Sequence, residues 1–246
     1  MKVIGHRGAS AYAPENTMAA FRAALGQGAH GIELDVHRTL DNRLAVAHDF
    51  TLERVSNGAG ALGDKTMAEL KALDFGARFG TGFAGEKIPE LCEVLAFMTG
   101  NDMALNIEIK SNPAAYDAEL VKLVAEAISG ACVGANAALL DRIIISSFDH
   151  RVLVDIKKLC PGVKTGILYD CYLVDVWKYA AGIGADYIHP HYQVLDRACV
   201  ESCHRHNIGV NAWTADDEAD IKCLLDMGAD AVITNKPDVA LTLLGG

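Results

Sequence analysis

Five strand-like apolar runs recur at a fixed spacing in the second half of the chain. They begin near Ile143, Thr165, Tyr187, Gly209 and Ala231, each 22 positions after the last. Helix-compatible segments lie between them, such as Val174 to Ile183 and Asp216 to Met227. The joints repeat as well: Gly28-Ala29-His30, Gly184-Ala185-Asp186 and Gly228-Ala229-Asp230 each precede a strand, as a glycine helix cap and a short loop require. Strands alternating with helices in this way predict βα units on a parallel sheet. Adding Val3 to Gly5, Ile32 to Val36 and Ala104 to Ile109 brings the strand count to eight. Eight parallel strands in about 250 residues predict a (β/α)8 TIM barrel, whose active site lies at the C-terminal ends of the strands. His6, Asp35, Lys110, Ser147, His189, Trp213 and Asn235 fall at or just past those ends.

One connection breaks the rhythm. Residues between the second and third of these strands are too many for a single helix. Val36 to Asp49 reads as a hairpin closing at Asp41-Asn42; with a tight two-residue turn, facing residue numbers sum to 83 and Asp35 lies opposite His48. The glycine-rich stretch Leu52 to Ile88 then reads as a small lobe inserted over the barrel mouth, available to bind substrate. The whole chain, 1–246, reads as a single domain with an insertion at about 50–90.

Within the second strand, Gly31-Ile32-Glu33-Leu34-Asp35-Val36, alternation puts the apolar residues on one face and both carboxylates on the other. Unpaired buried carboxylates cost several kcal/mol each, so a cation is expected to compensate them. Leu105-Asn106-Ile107-Glu108-Ile109-Lys110 repeats the pattern, with Glu108 and Lys110 on one face. Three carboxylates from two neighbouring strands, with no cysteine nearby, suit Mg²⁺ or Ca²⁺ better than zinc. A rival reading makes the histidines His6 and His48 metal ligands. Lys110 either neutralises the carboxylates or holds a substrate oxygen.

His6-Arg7-Gly8 follows the first strand directly. Arginine makes bidentate contacts with phosphate or carboxylate, and histidine exchanges a proton near neutral pH. The bland alternative is a histidine bonded to the backbone and an arginine in a salt bridge. His48, brought beside Glu33 and Asp35 by the hairpin, turns the balance towards a site. In Pro14-Glu15-Asn16-Thr17, Asn16 or Thr17 caps the next helix, and Glu15 supports either the cap or Arg7. His189 is either a substrate contact or an ordinary loop histidine. Trp213 reads as a flat apolar wall for substrate, or as packing at the barrel top. His30, His37, His150, His204 and His206 have no converging partners and read as surface or loop residues.

Composition narrows the partners. Half of the 246 residues are hydrophobic, the net charge is −10 and the pI is near 5.3, which argues against nucleic acid while allowing a small phosphate ligand at a local cationic site. Seven cysteines with no CxxC suggest reduced thiols in a cytoplasmic protein, although Cys199, Cys203 and His206 superficially imitate a zinc cluster. No apolar run is long enough for a membrane span, and the amino terminus does not resemble a signal peptide. The oligomeric state stays open, a homo-oligomer included.

Taken in order, the motifs resemble the glycerophosphodiester phosphodiesterase family. The matching stretches are His6-Arg7-Gly8, Pro14-Glu15-Asn16-Thr17 with Ala20-Phe21, Glu33-Leu34-Asp35-Val36, Thr39, Asp41, Val46-Ala47-His48-Asp49, Ile88-Pro89, Glu108-Ile109-Lys110, Trp213-Thr214 and Ile233-Thr234. The resemblance implies a barrel with a segment inserted after the second strand. It implies that Glu33, Asp35 and Glu108 bind a divalent cation, that His6 and His48 are the acid–base pair, and that Arg7 holds the phosphate. Asn42, where glycine is usual, and Val55-Ser56, in place of a threonine pair, depart from the pattern. The expected activity is metal-dependent hydrolysis of a glycerophosphodiester to glycerol 3-phosphate and an alcohol. The alternatives are a phospholipase D-like or lyase relative that forms a cyclic phosphate, and a non-catalytic phosphodiester-binding barrel.

Overall fold

The 22-residue period becomes a closed sheet. The computed structural model describes residues 1–112 and 115–245. Its strands are β1 (Lys2–Gly5), β2 (Gly31–Arg38), β3 (Leu44–Val46), β4 (Ala104–Ile109), β5 (Ile143–Ser147), β6 (Lys164–Tyr169), β7 (Tyr187–Pro190), β8 (Gly209–Ala212) and β9 (Ala231–Thr234). All but β3 are parallel, in the order β1-β9-β8-β7-β6-β5-β4-β2, and a β1–β2 pairing closes the ring, so the barrel has eight strands. Antiparallel β3 hangs from the outer end of β2. The chain is a (β/α)8 TIM barrel.

The helices are α1 (Met18–Gln27), α2 (Met67–Ala72), α3 (Leu91–Met98), α4 (Ala118–Ala131), α5 (His150–Leu159), α6 (Val176–Ile183), α7 (Arg197–Arg205), α8 (Glu218–Met227) and α9 (Pro237–Leu243). Thr17 caps α1 by accepting from the Ala20 N–H. Gly28, Gly184 and Gly228 end α1, α6 and α8 with φ of 84°, 73° and 87°, the left-handed turn that glycine adopts without a Cβ penalty. Each is followed by a buried alanine that leads into the next strand. The repeated Gly-Ala joint is therefore a repeated helix stop.

Alternation sorts the strand residues. Ile32, Leu34, Val36, Leu105 and Ile107 face outward into the main core beneath the helices. The inward positions are partly polar: Asn106, His189 and Asn211 are buried inside the barrel, with Ile4, Ala231 and Ile233 opposite them. His189 is completely buried, and a Cβ on Gly166 would lie 2.5 Å from its Nε2. It is an interior residue rather than a substrate contact at the mouth.

The insertion carries its own small core. Ala45, Ala47, Leu52, Leu62, Met67, Leu70, Phe75 and Ile88 pack together apart from the barrel core. A Thr66–Glu69 capping box starts α2, and α3 returns the chain to the barrel.

The hairpin register differs by one residue from the expected one. Val36 faces Val46, His37 faces Ala45 and Arg38 faces Leu44, so the facing numbers sum to 82. Three residues, 40–42, make the turn between Thr39 and Arg43, and Asn42 takes the left-handed conformation at φ 58°. Three-residue hairpin loops end in such a residue, and asparagine tolerates it better than most side chains. Asp35 consequently faces Ala47, whose N–H bonds the Asp35 carbonyl oxygen at 3.1 Å, and His48 lies one step beyond.

Gly8 offers a direct test of the β1–α1 junction. Its φ is 83°, and a Cβ there would lie 2.6–2.7 Å from Ala20 atoms in α1. Gly8→Ala is expected to lower the unfolding free energy by at least about 2 kcal/mol in urea titration, from left-handed strain plus displacement of α1. An unchanged midpoint would show that α1 gives way freely.

Candidate active site

Residues at the ends of β1, β2, β4, β5 and β8 meet around a cavity of about 60 Å³ at the barrel mouth. Its lining includes His6, Arg7, Glu33, His48, Glu108 and Trp213. A larger cavity of about 380 Å³ lies at the opposite end, against Lys2, Lys164 and His189. Size does not mark the site; the convergence of ionisable groups at the mouth does.

Glu33 and Asp35 point inward from β2, and Glu108 pairs with Asp35 in the parallel register of β4. One oxygen from each of the three lies within 4.8 Å of the others. They divide the available charge unequally. Burial and the neighbouring Asp35 push the Glu33 carboxyl well above the usual range. The same two causes raise Glu108 to about 7. Burial works to raise Asp35 too, but Lys110 and Arg7 outweigh it and hold the carboxyl at about 2. Lys110 Nζ lies 2.7 Å from Glu108 Oε1 and 3.3 Å from Asp35 Oδ1. Asp35 Oδ1 is buried with no hydrogen-bond partner. Three hard oxygen donors, among them an Asp35 oxygen that makes an ion pair with Lys110 but no hydrogen bond, fit an oxygen-seeking divalent cation.

Arg7 is held on both sides. Its backbone sits at φ 56°, sparsely populated for a residue with a side chain, and its N–H donates to Glu33 Oε2 at 2.9 Å. Nη1 donates to Glu15 Oε1 at 2.9 Å, and Nε lies 3.5 Å from Asp35 Oδ2. Glu15 thus serves Arg7 rather than the helix cap. Asn16 was legible only as a candidate cap; instead its Nδ2 donates to Asp35 Oδ2 at 2.8 Å, from a backbone at φ 57°.

The two histidines are tethered alike. His6 Nδ1 lies 2.8 Å from Asn235 Oδ1, and Asn235 is in turn fixed by donating to Asp216 Oδ2 at 2.6 Å. Donation from His6 Nδ1 to that carbonyl oxygen leaves Nε2 as the acceptor, 4.0 Å from Glu33 Oε2. Burial, then the Arg7 charge, lowers His6 to about 4. His48 Nδ1 lies 2.7 Å from Asp49 Oδ1, which leaves its Nε2 free as well. Burial lowers His48, against the opposing pull of Asp35.

His37 corrects the surface reading. It is buried, lowered to about 4 chiefly by burial, and its Nε2 bonds the His48 carbonyl oxygen at 3.0 Å. The period of two that put Glu33 and Asp35 on one face includes residue 37, and that signal could have found it. Trp213 lines the cavity beside Phe148: its Nε1 donates to the His189 carbonyl oxygen at 2.7 Å, and its ring meets Phe148 edge-on at 5.6 Å. Phe148 has no periodic signature beyond its place after β5. All eight residues singled out for metal, proton transfer and substrate therefore gather at the mouth. Asn16, His37, Asp49 and Phe148 were missed as members of the site, and Asn235 was placed at a strand end without a role.

Comparisons with known proteins bear on the family and the fold. The model of the Glycerophosphoryl diester phosphodiesterase family matches residues 6–239. A glycerophosphodiester phosphodiesterase of Caldanaerobacter subterraneus subsp. tengcongensis is 41% identical over 245 residues, covering 98% of this chain and 97% of its own. A phosphodiesterase of Oleispira antarctica, solved with the product sn-glycerol-3-phosphate, superposes with a TM-score of 0.88 at 28% identity, covering 100% of this chain and 97% of that one. The glycerophosphodiester phosphodiesterase of Agrobacterium tumefaciens gives a TM-score of 0.82 at 27% identity, covering 98% and 99%.

Asn16→Gly removes the bond to Asp35 while keeping a residue suited to φ 57°. It is expected to cost about 1.5–3 kcal/mol in urea unfolding, the range for a hydrogen bond to a buried charge. Wild-type stability in this variant would mean that water replaces the amide without loss.

Proposed function

The chain belongs to the glycerophosphoryl diester phosphodiesterase family and is a phosphoric diester hydrolase; on that premise we propose that it cleaves small glycerophosphodiesters to glycerol 3-phosphate and an alcohol, using two histidines and a divalent cation. Family membership removes the reason to prefer a non-catalytic binding barrel. The observation that carries the proposal is the gathering of Glu33, Asp35 and Glu108 with His6, His48 and Arg7 around one small cavity. The product bound to the Oleispira relative supports the glycerol phosphate half of the substrate.

Glu33, Asp35 and Glu108 would hold the cation, with Mg²⁺ or Ca²⁺ favoured by an all-oxygen donor set. When bound, it supplies positive charge to the non-bridging phosphate oxygens. Arg7 donates to the same phosphate from the β1 side, and Lys110 holds a second oxygen or balances the carboxylates. One histidine takes a proton at Nε2 from the nucleophile, which is water or the neighbouring glycerol hydroxyl. The other, which enters the step protonated at Nε2, gives that proton to the alcohol oxygen as its bond to phosphorus breaks, and the proton taken by the first returns to solvent. Trp213 offers its ring to the carbon face of the glycerol. Barrel and insertion act as one domain, 1–246. Seven unpaired cysteines support a reducing, cytoplasmic setting, and no helix among the described residues is long and apolar enough to cross a membrane.

His6→Ala and His48→Ala are each expected to lower turnover of glycerophosphocholine by at least about a hundredfold. A near-normal rate would remove that histidine from the chemistry. Exhaustive chelation should abolish turnover and Mg²⁺ or Ca²⁺ restore it, whereas full activity without metal would end the cation's role. Phosphorus NMR of the products distinguishes direct hydrolysis from a cyclic phosphate.

The cation should also raise Tm, and by less at pH 5.5 than at pH 7.5. The sign follows from the raised carboxyls: Glu108 keeps its proton up to about 7, so below that pH protons compete with the cation for the oxygens. An equal increment at both pH values would show that these carboxyls are not the ligands.

A further inference from the structure

A residue of the insertion closes a chain of ion pairs that reaches both working ends of the site. Arg54 follows β3 in the lobe, and its side chain is 49% exposed. Its Nη1 and Nη2 donate to Glu15 Oε2 and Oε1 at 2.6 and 2.8 Å, and its Nε donates to Asp49 Oδ2 at 2.5 Å. Each carboxylate passes the contact onward. Glu15 Oε1 accepts from Arg7 Nη1 at 2.9 Å, and Asp49 Oδ1 meets His48 Nδ1 at 2.7 Å. The sequence Arg7–Glu15–Arg54–Asp49–His48 therefore links the phosphate-binding arm of the barrel to the histidine brought in by the insertion.

We infer that Arg54 is a positioning residue that sets Arg7 and His48 together, making assembly of the site conditional on the docked insertion. The chemistry requires arginine. A guanidinium presents its donors in a fixed planar fork, so it grips one carboxylate with two nitrogens and a second with the third. A lysine at this point is a single charge on a flexible stem and cannot fix the angle between the two carboxylates. Ion pairs this exposed add little to global stability, so the consequence lies in geometry. Catalysis is sensitive to that geometry: a misplacement of about 1 Å can cost about a hundredfold in rate. The cavity of about 180 Å³ beside Arg54, lined by Glu15, Val55, Phe75 and Phe79, leaves room for a small cation to replace the guanidinium.

The inference rests on the roles proposed for Arg7 and His48, so Arg7→Ala and His48→Ala are measured alongside. For Arg54→Ala we expect kcat/KM to fall at least about tenfold, with kcat lowered through His48 and KM raised through Arg7. Tm should move by only a few degrees. Arg54→Lys should resemble Arg54→Ala, and added millimolar guanidinium should restore part of the rate of Arg54→Ala but not that of wild type. Glu15→Gln should reproduce mainly the KM effect and Asp49→Asn mainly the kcat effect. Combining Glu15→Gln with Arg54→Ala should cost much less than the product of the two losses, because both break one chain. Wild-type kinetics in Arg54→Ala or Arg54→Lys, or fully multiplicative losses in the double variant, would overturn the inference. Multiplicative losses would place Arg54 on the substrate by itself. If Arg7→Ala or His48→Ala keeps the normal rate, the proposed roles fall instead.

Discussion

Three carboxylates crowded into a buried barrel mouth require positive charge, and the surrounding structure is arranged to supply it. With oxygens within 4.8 Å of one another, two full charges repel by at least about 3 kcal/mol at the effective dielectric of a protein site, so three such pairs would rival a domain's whole stability. The protein relieves this in two ways. Arg7 and Lys110 keep Asp35 ionised, while Glu33 and Glu108 retain their protons more readily than ordinary glutamates. Such a site is poised for a cation, because its arrival replaces protons rather than requiring a new fold.

Much of the local backbone follows from that electrostatic need. Arg7 and Asn16 both adopt positive φ, and both do so where a group must turn back onto the β2 carboxylates. Gly8 permits the turn, and α1 packs against it too closely for any Cβ. Strain of this kind persists where surrounding contacts over-determine it, as the main core beneath α1 does here. The insertion contributes from the other side. Its separate core leaves it free to be placed as a unit, while β3, His37 and the Arg54 chain hold His48 and Asp49 against the barrel. The candidate site is therefore shared between the barrel and the insertion, neither of which contains all of it.

The legibility of this protein from its residues varied with the range of the cause. The barrel strands were readable because each depends on its own apolar alternation and its own glycine stop. The periodic run placed at Thr165 starts only one residue earlier, at Lys164. The carboxylate pair was readable for the same reason, since alternation alone puts Glu33 and Asp35 on one face. The hairpin register was not, because a two-residue and a three-residue turn differ by the conformation of one residue, Asn42, and neither is excluded locally. His48 reaches the site even so, because the chain leaves the ladder after Val46 and His37 fixes where its backbone goes.

By itself, then, the amino-acid sequence determined the eight-stranded barrel, the face that carries the charge and the residue types gathered there, all consequences of interactions a few residues apart. Tertiary structure decided the rest. It chose Glu15 for Arg7, Asn16 for Asp35 and Asn235 for His6, and it sent His189 into the barrel interior rather than to the mouth. Those choices join positions up to 229 residues apart, and nothing local distinguishes one hydrogen-bonding partner from another until packing brings them within reach.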